Sequence, residues 1–260
     1  MAQRIIEVGE GFWNIRGSFK IVGLIDIGTQ ASLVRLQSGR FVLLDTCALH
    51  RKSVDMINTL TDNGQLLQAI INLHPFHTLH VSDTHKLFPQ AKLYGTARHH
   101  KNLGDLPWES PLSESKALHE EFADDLGFSV PAGVEFISDN ENVHFASVLA
   151  WHPHSRTIHV DDTLMYIRFP LPLRILGHRD TVRFHPTLGN VLLQQAGAAE
   201  SFAEWATGLA TRWADAENLC AAHVTPLLAS NNRGAPITER ILSALDAVRS
   251  TLAKHENSLD

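Results

Sequence analysis

Cysteine is nearly absent: the 260 residues hold two, Cys47 and Cys220. That excludes a small secreted scaffold framed by disulfides. No apolar run approaches the roughly 18 residues needed to cross a bilayer. The N-terminus, Met1-Ala2-Gln3-Arg4-Ile5-Ile6-Glu7, lacks the apolar core of an export signal. A soluble cytoplasmic protein with no membrane partner is therefore expected. Basic residues are outnumbered, 22 Lys and Arg against 28 Asp and Glu, for a net charge of -6. They form no cluster, which argues against a nucleic-acid partner. Also missing are a Gly-x-Ser-x-Gly elbow for a nucleophilic serine and a glycine-rich phosphate loop. What remains is an ordinary apolar fraction of 44%, enough for a sizeable core, and an unusual 16 His. Histidine is the commonest metal ligand, although many of these will be plain surface residues.

The first third of the chain alternates as an antiparallel sheet does. Gly11 to Arg16 is a short strand, and Ala31 to Leu36 and Phe41 to Asp45 form a hairpin around Ser38-Gly39. Val54, Ile57 and Leu60 mark a helix from His50 to Leu60, stopped at Asp62-Asn63-Gly64. Leu67 to Leu73 reads as a buried strand running into His74. A short helix from Ser82 to Phe88 and a strand from Ala91 to Gly95 follow. Residues 101–133, rich in Pro, Ser, Glu and Asp, read as a loop-rich insertion with a helix from Ser115 to Leu126, and strands are expected to resume at Val134. A hairpin then spans His144 to Leu164, with its turn at Pro153-His154-Ser155-Arg156. Ile167 to Pro186, interrupted by Pro170 and Pro172, gives no clear pattern. Phe202, Trp205, Leu209 and Trp213 mark one face of a helix over Ala198 to Glu217, and a core role for them is the plain reading. Asn218 to Val224 reads as a strand or its lead-in. Pro236 to Lys254 closes the chain as a helix with Ile241, Leu245, Val248 and Leu252 inward. The whole reads as a single domain over 1–260.

Three separated histidine sites and an aspartate lie at strand ends: His74, His77 and His80 in one loop, His144, Asp162, and His223. Neutral imidazoles converging with a carboxylate suit Zn, Fe, Ni or Cu. Each has a bland alternative. The His74 to His80 run could cap a helix or lie on the surface, Asp162 could cap a turn, and His144 could belong to the core. Asp161 replaces Asp162 if the register slips by one. His152, His154 and His159 belong to the hairpin and are set aside, as are His99, His100, His178 and His185.

The order of these elements resembles the metallo-β-lactamase superfamily. Val42-Leu43-Leu44-Asp45-Thr46 is similar to that family's Leu-Ile-Asp-Thr-Gly strand end. Ile70 to His74 is similar to the strand feeding its histidine motif. The span from His144 to Asp162-Thr163-Leu164 is similar to its third and fourth motifs, and Ala222-His223 to its terminal Gly-His. Val34 to Gly39 and Ser155 to Ile158 resemble an atypical branch of the same superfamily. The likeness covers roughly residues 10 to 250. It implies an α/β chain folded as a four-layer αββα sandwich, with one or two Zn ions, or Fe, held among His74, His77, His80, His144, Asp162 and His223. Asp45 would hold the histidine loop by hydrogen bonds. One departure stands out. The family's His-x-His-x-Asp-His is replaced by His74-x-x-His77-x-x-His80, without the Asp that binds a second metal and orients water. Asp83, on the following helix, is the nearest substitute, and Asp162 or His80 would have to serve in catalysis.

The resemblance implies a hydrolase that uses a metal-activated water on a small ester, lactone, thioester or phosphoester; the partners expected are a small-molecule substrate and a second copy in a homodimer. The missing Asp favours an alternative, a non-catalytic member that binds a ligand or partner. A di-iron redox protein is a third reading, weakened by the shortage of carboxylates.

Overall fold

Apolar side chains on alternate positions between residues 4 and 94 lay down the first of two facing sheets. The computed structural model describes residues 4–18, 20–21, 25–26, 28–169, 171–176, 180–222, 225–232 and 234–259. The chain begins with β1 (Arg4–Gly9), β2 (Phe12–Gly17), the small pair β3 (Lys20–Ile21) and β4 (Ile25–Asp26), β5 (Thr29–Arg35) and β6 (Phe41–Leu44). Then come α1 (Arg51–Leu60), β7 (Leu67–Ile71), α2 (Val81–Leu87), β8 (Lys92–Tyr94), α3 (Ala97–Asn102) and α4 (Lys116–Glu121). The first sheet has the order β1-β2-β5-β6-β7-β8. It is antiparallel from β1 to β6 and parallel from β6 to β8. Parallel neighbours need a crossover, and α1 and α2 supply the two that are required.

The second half contains β9 (Gly127–Ser129), β10 (Leu149–His152), β11 (Thr157–Val160), β12 (Leu164–Ile167), α5 (Leu171–Ile175) and β13 (Thr181–Phe184). It ends with α6 (Leu188–Val191), α7 (Ala198–Arg212), β14 (Asn218–Ala221) and α8 (Ile237–Glu256). The second sheet runs β14-β11-β10-β9, and β12 pairs with β13 beside it.

Strand periodicity assigns the layers. Leu33, Leu43 and Ile70 face outward and pack with Ile57 of α1 and Val81 of α2. Their neighbours Val34, Val42, Leu44, Ala69 and Ile71 face the second sheet and meet Val148, Ala150 and Cys220. On the far side Leu149, Ile158, Val160 and Leu219 pack with Phe202, Trp205 and Leu209 of α7 and Ile241 and Leu245 of α8. The result is helix, sheet, sheet, helix: the αββα sandwich. Cys47 and Cys220 are buried and are not joined in a disulfide. Among the described residues no helix is long and apolar enough to cross a membrane.

Three stretches differ from expectation. Residues 101–133 are mostly loop, but they are built into the core. Leu118, Phe122 and Leu126, four residues apart, are buried between the sheets. The strand expected from Val134 comes earlier, as β9, which pairs with β10 along Gly127–Ser129. Charged residues around these apolar anchors masked them in the sequence. The hairpin turn at Pro153–Arg156 is present, with Arg156 at φ 53°. Its first strand is short, however, because residues 145–148 are buried without joining a ladder. The unclear stretch after Ile167 holds α5 and β13, whose pairing with β12 is long-range and leaves no local signature.

Phe202 is fully buried, with ring centroids 6.0 Å from Phe145, 5.0 Å from Phe184 and 5.4 Å from Trp205. Phe202→Ala is expected to cost about 3–5 kcal/mol in urea unfolding, because a rigid helix–sheet seam cannot collapse into the void. His152 gives a pH signature. Burial, then the neighbouring His154, lowers its pKa from 6.5 to about 4. Below pH 6.5 the unfolded chain binds more protons at this residue. Its contribution to stability is therefore present above pH 6.5 and is lost as the pH falls towards 4. Unfolding curves of His152→Gln across that window should show a shallower acid loss than those of the parent.

Candidate metal centre

The ends of β6, β7 and β11 meet at one edge of the sandwich. Asp45 follows β6 with a left-handed backbone, φ 55°, a conformation that Asp tolerates better than most residues. This bend turns its carboxylate under the end of β7. Oδ1 accepts the backbone N–H groups of Leu73 (2.7 Å) and His74 (3.3 Å), and Oδ2 accepts Nε2–H of His159 (2.9 Å). Burial alone would raise the Asp45 pKa. The hydrogen bond and charge of His159, with the Leu73 N–H, outweigh it and hold the carboxyl below its usual range.

With the loop so anchored, His74 and His77 point at the aspartates that follow β11. His74 Nε2 lies 3.2 Å and His77 Nε2 3.8 Å from Asp162 Oδ2. One ligand atom from each of His74, His77 and Asp162 lies within 4.8 Å of the other two. Atoms bound at about 2.0–2.2 Å to one tetrahedral ion sit roughly 3–4 Å apart, so the group has the dimensions of a ligand set. Asp161 Oδ2 takes the other side of His77, 2.6 Å from Nδ1. A carboxylate behind a histidine in this way fixes the ring and leaves Nε2 to face the metal. Burial would lower the His77 pKa, but Asp161, then Asp162 and Asp45, raise it to about 10.

Two buried atoms here lack a hydrogen-bond partner: His74 Nε2 and Asp161 Oδ1. The His74 nitrogen is close to Asp162 but not aligned with it. Leaving such a group unsatisfied costs about 1–3 kcal/mol, and a cation among two imidazoles and a carboxylate would satisfy it. The residues present therefore fit a borderline transition metal such as Zn or Fe.

The other expected ligands stand differently. His80 occupies the N-cap position of α2, and His144 flanks the site; both line a cavity of about 390 Å³ with His77, Asp161 and Asp162, but neither joins the donor group. His144 is held by its neighbours. Its ring stacks on Phe76 at 4.5 Å, and Nε2–H donates to the Glu141 carbonyl at 2.9 Å. The Arg98 guanidinium covers the Phe76 ring at 4.4 Å and pairs with Glu141, which completes the brace. His223 lies outside the described residues. Asp83 is three-quarters exposed beside Lys86, so it does not replace the missing acid.

His159, set aside in the sequence as part of a hairpin, is fully buried between Asp45 and Ser32. The alternation of Thr157-Ile158-His159-Val160 held the signal. Ile158 and Val160 face the helices, so His159 shares the inner face with Asp161. Ser32, His159 and Asp45 have the composition of a hydrolytic triad, but Ser32 is 0% exposed and no substrate reaches its hydroxyl.

The sequence matches no protein-family model and no curated protein. Solved structures match over nearly the whole chain. DIM-1 metallo-β-lactamase is 14% identical, with 95% of this chain and 98% of that chain covered at a TM-score of 0.59. The chain has the metallo-β-lactamase fold. A metallo-β-lactamase from Erythrobacter litoralis, solved with β-mercaptoethanol in its active site, is 14% identical over 94% of this chain and 96% of its own, TM-score 0.59. One from Hirschia baltica is 13% identical over 95% and 97%, TM-score 0.58. At such identities the likeness to metallo-β-lactamases carries the architecture, and activity must be argued from the site.

Protein purified without added metal is expected to carry about one transition-metal ion per chain by mass spectrometry of the elements. His74→Ala and Asp162→Ala should abolish it, whereas His154→Ala should not. Undiminished metal in His74→Ala would exclude this centre.

Proposed function

We propose that this chain is a metal-dependent hydrolase acting on a small ester, lactone, thioester or phosphoester. The observation that carries the reading is the convergence of the buried His74 Nε2, left unsatisfied, with His77 and Asp162, which line a cavity of about 390 Å³. When bound, a Lewis-acidic divalent cation lowers the pKa of a water and polarises the oxygen of a scissile bond. Zinc is the first choice for a donor set of this type, and iron the second.

The chain's own residues supply the rest. His74, His77 and Asp162 hold the cation, and Asp161 keeps His77 in the tautomer that presents Nε2. His80 borders the cavity, and burial lowers its pKa, so it is neutral near pH 7 and able to accept a proton. Phe76 and Leu79 provide apolar wall for the substrate. Thr78 and Leu79 stand where the resembled family carries its acid, so proton transfer falls to Asp162 and His80.

That same substitution favours a second reading, a metal-holding member that binds a ligand without turnover. A single assay separates the two. Zinc-loaded protein would be tested against p-nitrophenyl acetate, an N-acyl lactone, an acyl thioester and bis-p-nitrophenyl phosphate. Turnover of one class is expected, with His80→Ala slowing it and Asp162→Ala reducing it by more than the roughly 10–100-fold typical of losing a partner behind a ligand. Full zinc loading with no turnover of any class would leave the binding protein.

A further inference from the structure

The donors of the metal centre come from different sheets. His74 and His77 follow β7 of the first, and Asp161 and Asp162 follow β11 of the second. Apolar packing holds the sheets together but is non-directional, so it does not fix their register. Directional bonds cross the same layer under the site. His159 of β11 joins Asp45 at the end of β6 and Ser32 of β5, each at 2.9 Å. Gln30 of β5 donates from Nε2 to the carbonyls of Val160 (2.8 Å) and Cys220 (3.1 Å). Arg16 of β2 donates from Nη1 to the carbonyl of Ala221 (2.7 Å) and to Gln30 Oε1 (2.8 Å).

The carbonyls chosen are informative. Val160 immediately precedes Asp161 and Asp162, and Ala221 is its partner at the end of β14. The groups are buried, with Arg16 6%, Gln30 2%, Ser32 0% and His159 0% exposed. Asn14 closes the set, donating from Nδ2 to Gln30 Oε1 and Ser32 Oγ, each at 3.0 Å. With Ser32 accepting from Asn14 and donating to His159 Nδ1, Nε2 is left to carry a proton to Asp45, whose other oxygen anchors Leu73 and His74. A buried polar cluster is seldom worth more to stability than apolar packing of the same volume. Its placement under the donors gives it a different use.

We infer that Arg16, Gln30 and His159 form an inter-sheet clamp that sets the spacing of metal donors on the two sheets, with His159 a positioning residue for His74. The inference rests on the metal-centre reading above. Zinc affinity would be measured by competition with a chromophoric chelator, alongside urea unfolding of the metal-free protein. Gln30→Met and His159→Leu should weaken zinc binding about 10–100-fold, and His159→Gln, which still reaches Asp45, should recover most of it. A purely structural role predicts lower stability in the metal-free variants with zinc affinity within about twofold of the parent, and that result would overturn the clamp. Gln30→Met leaves Asp45 paired, so it decides the matter if His159→Leu does not fold. Parent protein that binds no zinc would overturn the metal reading and the clamp with it, whereas parent and Gln30→Met binding alike would remove the clamp alone.

Discussion

Asp45 carries a negative charge into the layer between two sheets, where an unpaired carboxylate would be costly. Two backbone N–H groups and the His159 ring surround it. In exchange it fixes the point at which β7 ends and the histidine loop begins. A left-handed backbone at Asp45 is what brings the carboxylate there, so local strain, burial and charge are spent at one residue. His74 has its main chain on this carboxylate and its side chain among the donors. Movement of Asp45 would therefore be felt directly at the centre.

The electrostatics of the centre follow from its acids. Asp45, Asp161 and Asp162 lie close together, mostly buried, and something positive must accompany them. The His77 ring lies against these acids, and Asp161, then Asp162 and Asp45, raise its pKa against the opposing effect of burial. A cation held by His74, His77 and Asp162 would answer the same demand while satisfying the unpartnered His74 nitrogen. The bracing of His144 by Phe76, Arg98 and Glu141 shapes the cavity wall beside it.

Much of the architecture was legible locally. Alternation in β5 and β6, the four-residue spacing along α7 and the turn at Pro153–Arg156 are short-range signals, and they survive folding because each element buries the face its pattern marks. The loop with His74 and His77 was legible for the same reason. The helix after Ser115 was legible too, but the place of Leu118, Phe122 and Leu126 between the sheets was not, because these sparse apolar anchors gain meaning only against the opposite sheet. His159 was read as an incidental hairpin residue, since a sequence gives the parity of a strand position but not what lies across from it.

Most of the strands and helices, their inward faces and the set of histidines and aspartates available as donors were determined by the sequence alone, through periodicity and residue chemistry, whereas β9, α5 and β13 were not. Which imidazoles meet which carboxylates was decided only in three dimensions. Ring orientation depends on partners distant in the chain: Asp161 behind His77, Phe76 and Glu141 on His144, Asp45 beneath His74. Those contacts arise where two sheets close on one another, and a hydrogen bond's narrow tolerance in distance and angle then selects among candidates that look alike along the chain.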